Sequence, residues 1–342
     1  MTLLIPRSTK PMLAKLATEI PTGAEWLYEP KWDGFRALVF RDGDDLEIIS
    51  RDGKPLHRYL PELVPVLSED LPRRCVVDGE VVITGPKGLD FDALLMRIHP
   101  ARSRIERLAQ EVPASFVAFD ILAVKNRSVT EKTTAERRDI LVDQLDVDEG
   151  LPELARRSQM LVTSQTDDVV KARSWFDELE AIGLDGVIAK RRDLPYAPGK
   201  RTMVKIKHVR TADCVIGGYR LSKDGDGVGS LLLGLYVEGV LHYVGHTSSF
   251  KAQERRDLLK KLAPLEGGHS FGEGRSPGGP SRWSGGRDVS WVSLEPSLVC
   301  EVAFEKLQGE RFRHAARFLR WRPDRKPESC TFDQVDRRLR EG

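Results

Sequence analysis

A lysine two residues ahead of an Asp-Gly pair and five ahead of an arginine, in Glu29-Pro-Lys31-Trp-Asp-Gly34-Phe-Arg36, is the string in this sequence with the most reactive potential. Alone it is a hairpin turn with a solvated lysine at a strand end, and Asp-Gly pairs recur at Asp42, Asp52 and Asp224. The reading changes because five further strings follow in order: Ser50-Arg51-Asp52-Gly53, Asp78-Gly79-Glu80, Phe119-Asp-Ile-Leu122, Asp185-Gly-Val-Ile-Ala-Lys190 and Lys205-Ile-Lys207. An amine attacks only when deprotonated, and at the ordinary lysine pKa of about 10.4 almost none is. Positive charge from Arg36, Lys190, Lys205 and Lys207, converging on one pocket, would disfavour the ammonium. The same cations would balance a triphosphate, whose developing charge a divalent ion would also neutralise. Glu80 and Asp185 are hard oxygen ligands suited to Mg or Mn, or to ribose hydroxyls. Phe119, on the apolar run Ser115 to Leu122, reads from its residues alone as a core aromatic.

With Pro11-Met-Leu-Ala14 ahead of them, these strings resemble, in order and over nearly the whole chain, the motifs of the ATP-dependent DNA ligases of the covalent nucleotidyltransferase superfamily. The resemblance implies that Lys31 takes AMP from ATP, that Phe119 lies flat against the adenine, that Glu29 accepts from its amino group and that Arg51 reaches the ribose. It implies that Glu80 sits near ribose and metal, and that Asp185 holds metal where these ligases mostly carry glutamate. Arg36, Lys190, Lys205 and Lys207 would line the same nucleotide site. Near the C-terminus, Arg322-Pro-Asp324-Arg325 matches the family's R-x-D-K in part, with Arg325 or Lys326 for its lysine. That stretch would meet the pyrophosphate. The implied cofactors are ATP, with AMP as covalent intermediate, and Mg or Mn. The implied substrate is nicked double-stranded DNA. The form most resembled is the minimal bacterial type, as in actinobacterial accessory ligases, acting in DNA repair as a monomer with no helical DNA-binding domain ahead of Pro11.

Two domains must position these residues. Runs rich in β-branched and aromatic residues, Trp26 to Lys31, Phe35 to Phe40, Leu46 to Ile49 and Val76 to Ile83, predict antiparallel strands. Helices are predicted over Tyr59 to Glu69, Thr133 to Leu145 and Asp167 to Ile182, the last capped by Thr166, stopped by Gly183 and followed by a strand from Gly186 to Lys190. Strands and helices without strict alternation give an α+β adenylation domain over residues 1–210. Beyond it, Val215 to Leu221, Leu231 to Val237, Leu241 to Val244 and Leu298 to Phe304, with a helix from Phe250 to Leu262, predict an OB-fold β-barrel over 211–342. Basic clusters at Lys251 to Lys261 and Arg311 to Arg325, the latter interleaved with Phe312, Phe318 and Trp321, suit a surface that tracks phosphates. Gly267 to Arg287 is rich in Gly, Ser and Pro and predicts a mobile loop in which Arg275, Arg282, Arg287 and Trp283 contact DNA.

Composition narrows the classes further. The chain has 342 residues, 54 Lys and Arg against 52 Asp and Glu, and a net charge of +2. A balance so near neutral requires any phosphate-binding surface to be a segregated patch. No run has signal-peptide or membrane-spanning character, which predicts a cytoplasmic protein without membrane contact. Cys75, Cys214, Cys300 and Cys330 lie too far apart for the usual zinc spacing, which also argues against an NAD-dependent ligase. Two rival readings remain: an mRNA-capping-type guanylyltransferase, which shares the lysine chemistry, and a non-catalytic OB-fold nucleic-acid-binding protein.

Overall fold

The computed structural model describes residues 4–86, 88–145, 147–155, 158–272, 275–278 and 290–335, the side chains of Glu153 and Leu154 excepted. The chain divides into two compact units, Met1–His208 and Val209–Gly342. In the first unit the principal strands are β1 Leu13–Ala17, β2 Trp26–Pro30, β3 Phe35–Asp42, β4 Asp45–Ser50, β5 Arg74–Val82, β6 Ser115–Val124, β7 Glu149–Gly150, β8 Met160–Thr163, β9 Val187–Arg191 and β10 Arg201–Ile206. They form two sheets, a smaller one in the order β1-β10-β9-β2 and a larger one in the order β7-β8-β6-β5-β3-β4. Parallel pairs β1 with β10 and β8 with β6 join the antiparallel ones.

The larger sheet is buried on both faces, which is why β3 and β5 read as nearly continuous apolar runs. Ala37, Val39 and Val77 pack with Leu63, Leu67, Leu94 and Leu141. Their neighbours Leu38, Phe40 and Val76 point the other way and pack with Met12, Tyr196 and Met203 of the smaller-sheet side. The far face of the smaller sheet is covered by the helix Val169–Glu178 through Ala172 and Trp175.

This layering changes the reading of the lysine string. β2 and β3 belong to different sheets, so Lys31 to Gly34 is a crossing between layers and not the hairpin that Asp-Gly suggests. Pro30 ends β2, and at Gly34 a Cβ would lie 2.0 Å from the Val81 carbonyl oxygen, so only glycine lets the chain pass there. The helix expected from Tyr59 begins at Leu63, because Pro61 disfavours helical backbone at Leu60. The helix expected from Asp167 is capped by Asp168, whose side chain accepts from Val170 N at 2.8 Å, and not by Thr166, which bridges to Tyr28. Gly183, at φ +90°, ends the following turn as expected.

The second unit carries β11 Arg210–Leu221, β12 Val228–Val237, β13 Val240–Thr247, β14 Val299–Phe304 and β15 Arg317–Trp321, with a helix Ala252–Leu262. The order is β13-β12-β11-β14-β15. Among the described residues the outer strands are joined by one parallel bridge, of Ala316 to Thr247, with Ala316 N donating to His246 O at 2.9 Å. The strand order is that of the OB-fold, but the sheet is not closed into the barrel the sequence predicted: one bridge does not make a ladder. Phe271, at 3% exposure, packs inside the sheet, where a Cβ on Gly217 or Gly234 would come within 2.3 or 2.9 Å of its ring. The stretch read as a mobile loop therefore begins with a core anchor. Arg282, Trp283 and Arg287 lie outside the described residues. Phe312, read as part of a phosphate-tracking surface, is instead buried and stacked on Phe304 at 4.6 Å.

Candidate active site

Lys31 sits where the chain leaves the smaller sheet, and two backbone hydrogen bonds fix it there. Lys31 N donates to Gly186 O and Asp185 N donates to Lys31 O, both at 2.9 Å. The side chains follow: Lys31 Nζ lies 2.7 Å from Asp185 Oδ2, and Lys207 Nζ lies 3.2 Å from the same oxygen. Three motif residues more than 150 positions apart at the extremes thus share one buried carboxylate oxygen. Gly186 makes this possible: its φ is +126°, and a Cβ there would stand 2.0 Å from Ile206 O.

A second cluster lies one row along the same sheet. Register pairs Glu29 with Ile188 and Ile188 with Lys205, which places Glu29 and Lys205 on one face. Glu29 and Lys190 form a buried ion pair, with Lys190 Nζ 2.9 Å from Oε1 and 2.8 Å from Oε2. Lys190 Nζ also donates to Phe119 O at 3.1 Å and stands 5.1 Å from the centre of the Phe119 ring. Phe119 is only partly buried, in contrast to its neighbours Ala118 and Asp120. The ring is left partly open, with cations against it, and is not sealed into a core.

The larger sheet supplies the third part. Arg36 and Glu80 are register partners on β3 and β5. Arg36 makes a bidentate pair with the fully buried Asp78, at 2.6 and 2.7 Å, and its guanidinium lies 4.2 Å from the Phe119 ring centre. Tyr196 OH donates to Asp78 Oδ2 at 2.6 Å and accepts from Met12 N at 2.9 Å. Burial pushes the Glu80 carboxyl up to about 7, against the pull of Arg36 and Lys31. Asp78 and Tyr196 were not among the residues singled out from sequence. Asp78 lies inside the Asp78-Gly79-Glu80 string, but nothing in the sequence marks Tyr196.

The arrangement is a lysine beside two carboxylates, a half-open aromatic ring and several cations. A family model described as the ATP dependent DNA ligase domain matches residues 11–207, and one described as the ATP dependent DNA ligase C terminal region matches residues 224–325. The chain belongs to the ATP-dependent DNA ligases. It is 50% identical over 338 residues to DNA ligase C1 of Mycolicibacterium smegmatis, covering 96% of this chain and 93% of that relative. It is 49% identical over 343 residues to DNA ligase C of Mycobacterium tuberculosis, covering 96% and 94%. A solved structure from a structure-function study of Lig E DNA ligases, on DNA binding with a minimal scaffold, is alike in fold, with a TM-score of 0.58 at 19% identity, covering 92% of this chain and 99% of that one. The guanylyltransferase and the non-catalytic readings fall with that membership.

The remaining expected residues of this ligase make pairs of their own. The Arg51 side chain is exposed and pairs with its neighbour Asp52 at 3.5 Å, although Arg51 N donates to Arg36 O at 3.0 Å. Arg322 and Asp324 belong to the second unit, where Arg322 lies 2.8 Å from Asp213 and 2.7 Å from Asp324. Hydrogen bonds from Arg322 hold the Asp324 carboxyl down at about 2. Arg325, one of the two residues that could stand for the family's lysine, takes Asp213 Oδ2 at 3.1 Å and is engaged in the same network. No helix among the described residues is long and apolar enough to cross a membrane.

Proposed function

We propose that this ligase seals nicks between a 3'-hydroxyl and a 5'-phosphate in double-stranded DNA through AMP carried covalently on Lys31. The observation that supports this reading most is the shared Asp185 oxygen, which gathers Lys31 and Lys207 where the two sheets meet. In the first step Lys31 Nζ attacks the α-phosphorus of ATP. The P–N bond forms, the α–β P–O bond breaks, Nζ loses its proton and pyrophosphate leaves. The Lys31–Asp185 pair must open before that attack. Lys207, Lys205 and Arg36 balance the phosphate charge, and Phe119, Glu29 and Lys190 hold the base. AMP then passes to the 5'-phosphate of the nick, and the 3'-hydroxyl displaces it.

Glu80 and Asp185 suit a Mg or Mn ion. Among the described residues no group of three or more ligating side chains exists, and two carboxylates completed by substrate phosphates and water are the usual setting for such an ion. When bound, it would neutralise charge on the phosphate oxygens. We assign to the second unit, with Arg322 and Asp324, a role in the adenylation step, and to Arg51 a contact with the ribose. The enzyme is proposed to act as a cytoplasmic monomer in repair.

Incubation with ATP labelled at the α-phosphate tests the central step. Wild type should carry an acid-labile label, and chase with nicked DNA should release it as ligated product. The Lys31→Ala variant should carry none. Covalent AMP on that variant, or an acid-stable linkage, would overturn the assignment.

A further inference from the structure

The second unit gathers positive charge around one tyrosine. Tyr243 of β13 is 7% exposed, and its ring meets Phe271 edge-on at 5.9 Å. A hydroxyl so deeply placed needs a partner, and the Arg220 guanidinium of β11 donates to it. The Arg311 guanidinium stands 5.2 Å from the centre of the same ring. Arg275 is fastened there by its backbone: Tyr243 N donates to Arg275 O at 2.8 Å, and Arg275 N donates to His242 Nδ1 at 3.3 Å. Register sets Arg220 opposite Ser230 and His246 opposite Leu232, two positions along β12, so His246 shares the face of Arg220.

Carboxylates do not answer this charge. Among the described residues Arg275 pairs with Glu310, and neither Arg220 nor Arg311 enters an ion pair. Arg220 Nε and Arg275 Nε are buried and meet no acceptor among the described residues. The excess is felt by the neighbours: burial, with Arg220 beside it, holds His246 below the ordinary imidazole value, and burial, with Arg311 beside it, holds Arg275 below the ordinary guanidinium value. Like charges gathered without counter-ions cost free energy, and a stable fold keeps such a conflict where an anion is to be bound. Arg311 and Glu310 are exposed, so the cluster opens to solvent. A small ligand is usually enclosed on most of its surface, whereas an open seat suits one phosphate of a long polyanion.

We propose that Arg220, Arg275 and Arg311, gathered around Tyr243, form a seat for one backbone phosphate of the DNA duplex, and that Glu310 is the internal anion this phosphate displaces. The proposal rests on the reading that the enzyme acts on nicked duplex. Guanidinium forks match phosphate oxygens as they match a carboxylate, which is why Glu310 can stand in on Arg275. A contact of this kind carries no base information and fixes the position of the duplex on the second unit.

The test is equilibrium binding of the full chain to a nicked duplex, without ATP, at several salt concentrations. Arg220→Gln and Arg311→Gln should each bind about tenfold more weakly at low salt, and each should lower the slope of log affinity against log salt by about 0.9. Glu310→Gln, which frees Arg275, should bind more tightly than wild type. A variant that is partly unfolded loses apparent affinity with no change in slope, and the exposed Arg311 carries the test if Arg220→Gln does not fold. Unchanged slopes in the folded arginine variants, or a Glu310→Gln variant that binds no more tightly, overturn the proposal. Covalent labelling by ATP should proceed at the wild-type rate in all three variants. Slow labelling with intact duplex binding would assign the cluster to the phosphates of the nucleotide and overturn the proposal as well. If wild type does not bind nicked duplex, the reading of the substrate has failed, which is a separate outcome.

Discussion

In the proposed mechanism the side chain that matters most after Lys31 is Asp185, because one oxygen of it holds two cations. Where the resemblance puts glutamate, the shorter side chain reaches the Lys31 amine because the backbone of residues 185 and 186 is hydrogen-bonded directly to Lys31. Asp185→Ala should lower the rate of covalent labelling about a hundredfold, the order seen when one charge-stabilising group is lost, while Asp185→Glu keeps part of it. Full activity in the alanine variant would return Asp185 to an ordinary turn. Glu80 gives a prediction in pH. Burial raises its carboxyl from 4.5 to about 7. Between those values the folded state binds the proton and the unfolded state does not, so stability from this group is present at low pH and falls as pH rises toward 7. Glu80→Gln removes that loss. The variant should therefore gain in Tm relative to wild type at pH 8 compared with pH 5. An equal difference at both pH values would show that the burial of Glu80 is not felt.

At the level of elements, the site exists because β2 and β9 deliver their ends to one point. Gly186 is the tightest position in that join. Gly186→Ala must move either Ile206 or the Lys31 backbone, at a cost of at least about 2 kcal/mol, and it should lower both Tm and covalent labelling. A variant with unchanged Tm and labelling would mean that the strand ends have room that the geometry denies. Gly34 is held by the same logic against Val81 O, which is why the Asp-Gly pair here is a crossing and not a hairpin.

For the molecule as a whole, the two units carry different parts of the reaction in our proposal. Arg322 is tied to Asp213 and Asp324, so its charge is already oriented by carboxylates within the second unit. Arg322→Ala should slow label transfer from ATP by at least about tenfold, the effect of losing one charged contact. Sealing of DNA supplied already adenylated should be affected much less. Equal loss in both assays would show that the second unit is needed throughout and not chiefly for adenylation.

The order of six short strings, from Lys31 to Lys207, was enough to name the family and the fold class, since motif order and residue chemistry are properties of the chain alone. So was the position of most strands, because a strand buried on one or both faces must be apolar with period two or nearly throughout. What the sequence could not decide was partnership across distance. That Lys31 and Lys207 share Asp185 and that Tyr196 fastens Asp78 and Arg36 follow from sheet register and layer packing. Nothing local to those residues encodes these contacts. The same holds for Phe312 and Phe271: an aromatic among arginines or glycines looks like surface in the sequence, and only the packing within the second unit takes both into the core. Local pattern fixes which residues are available, and the tertiary fold alone decides which of them meet.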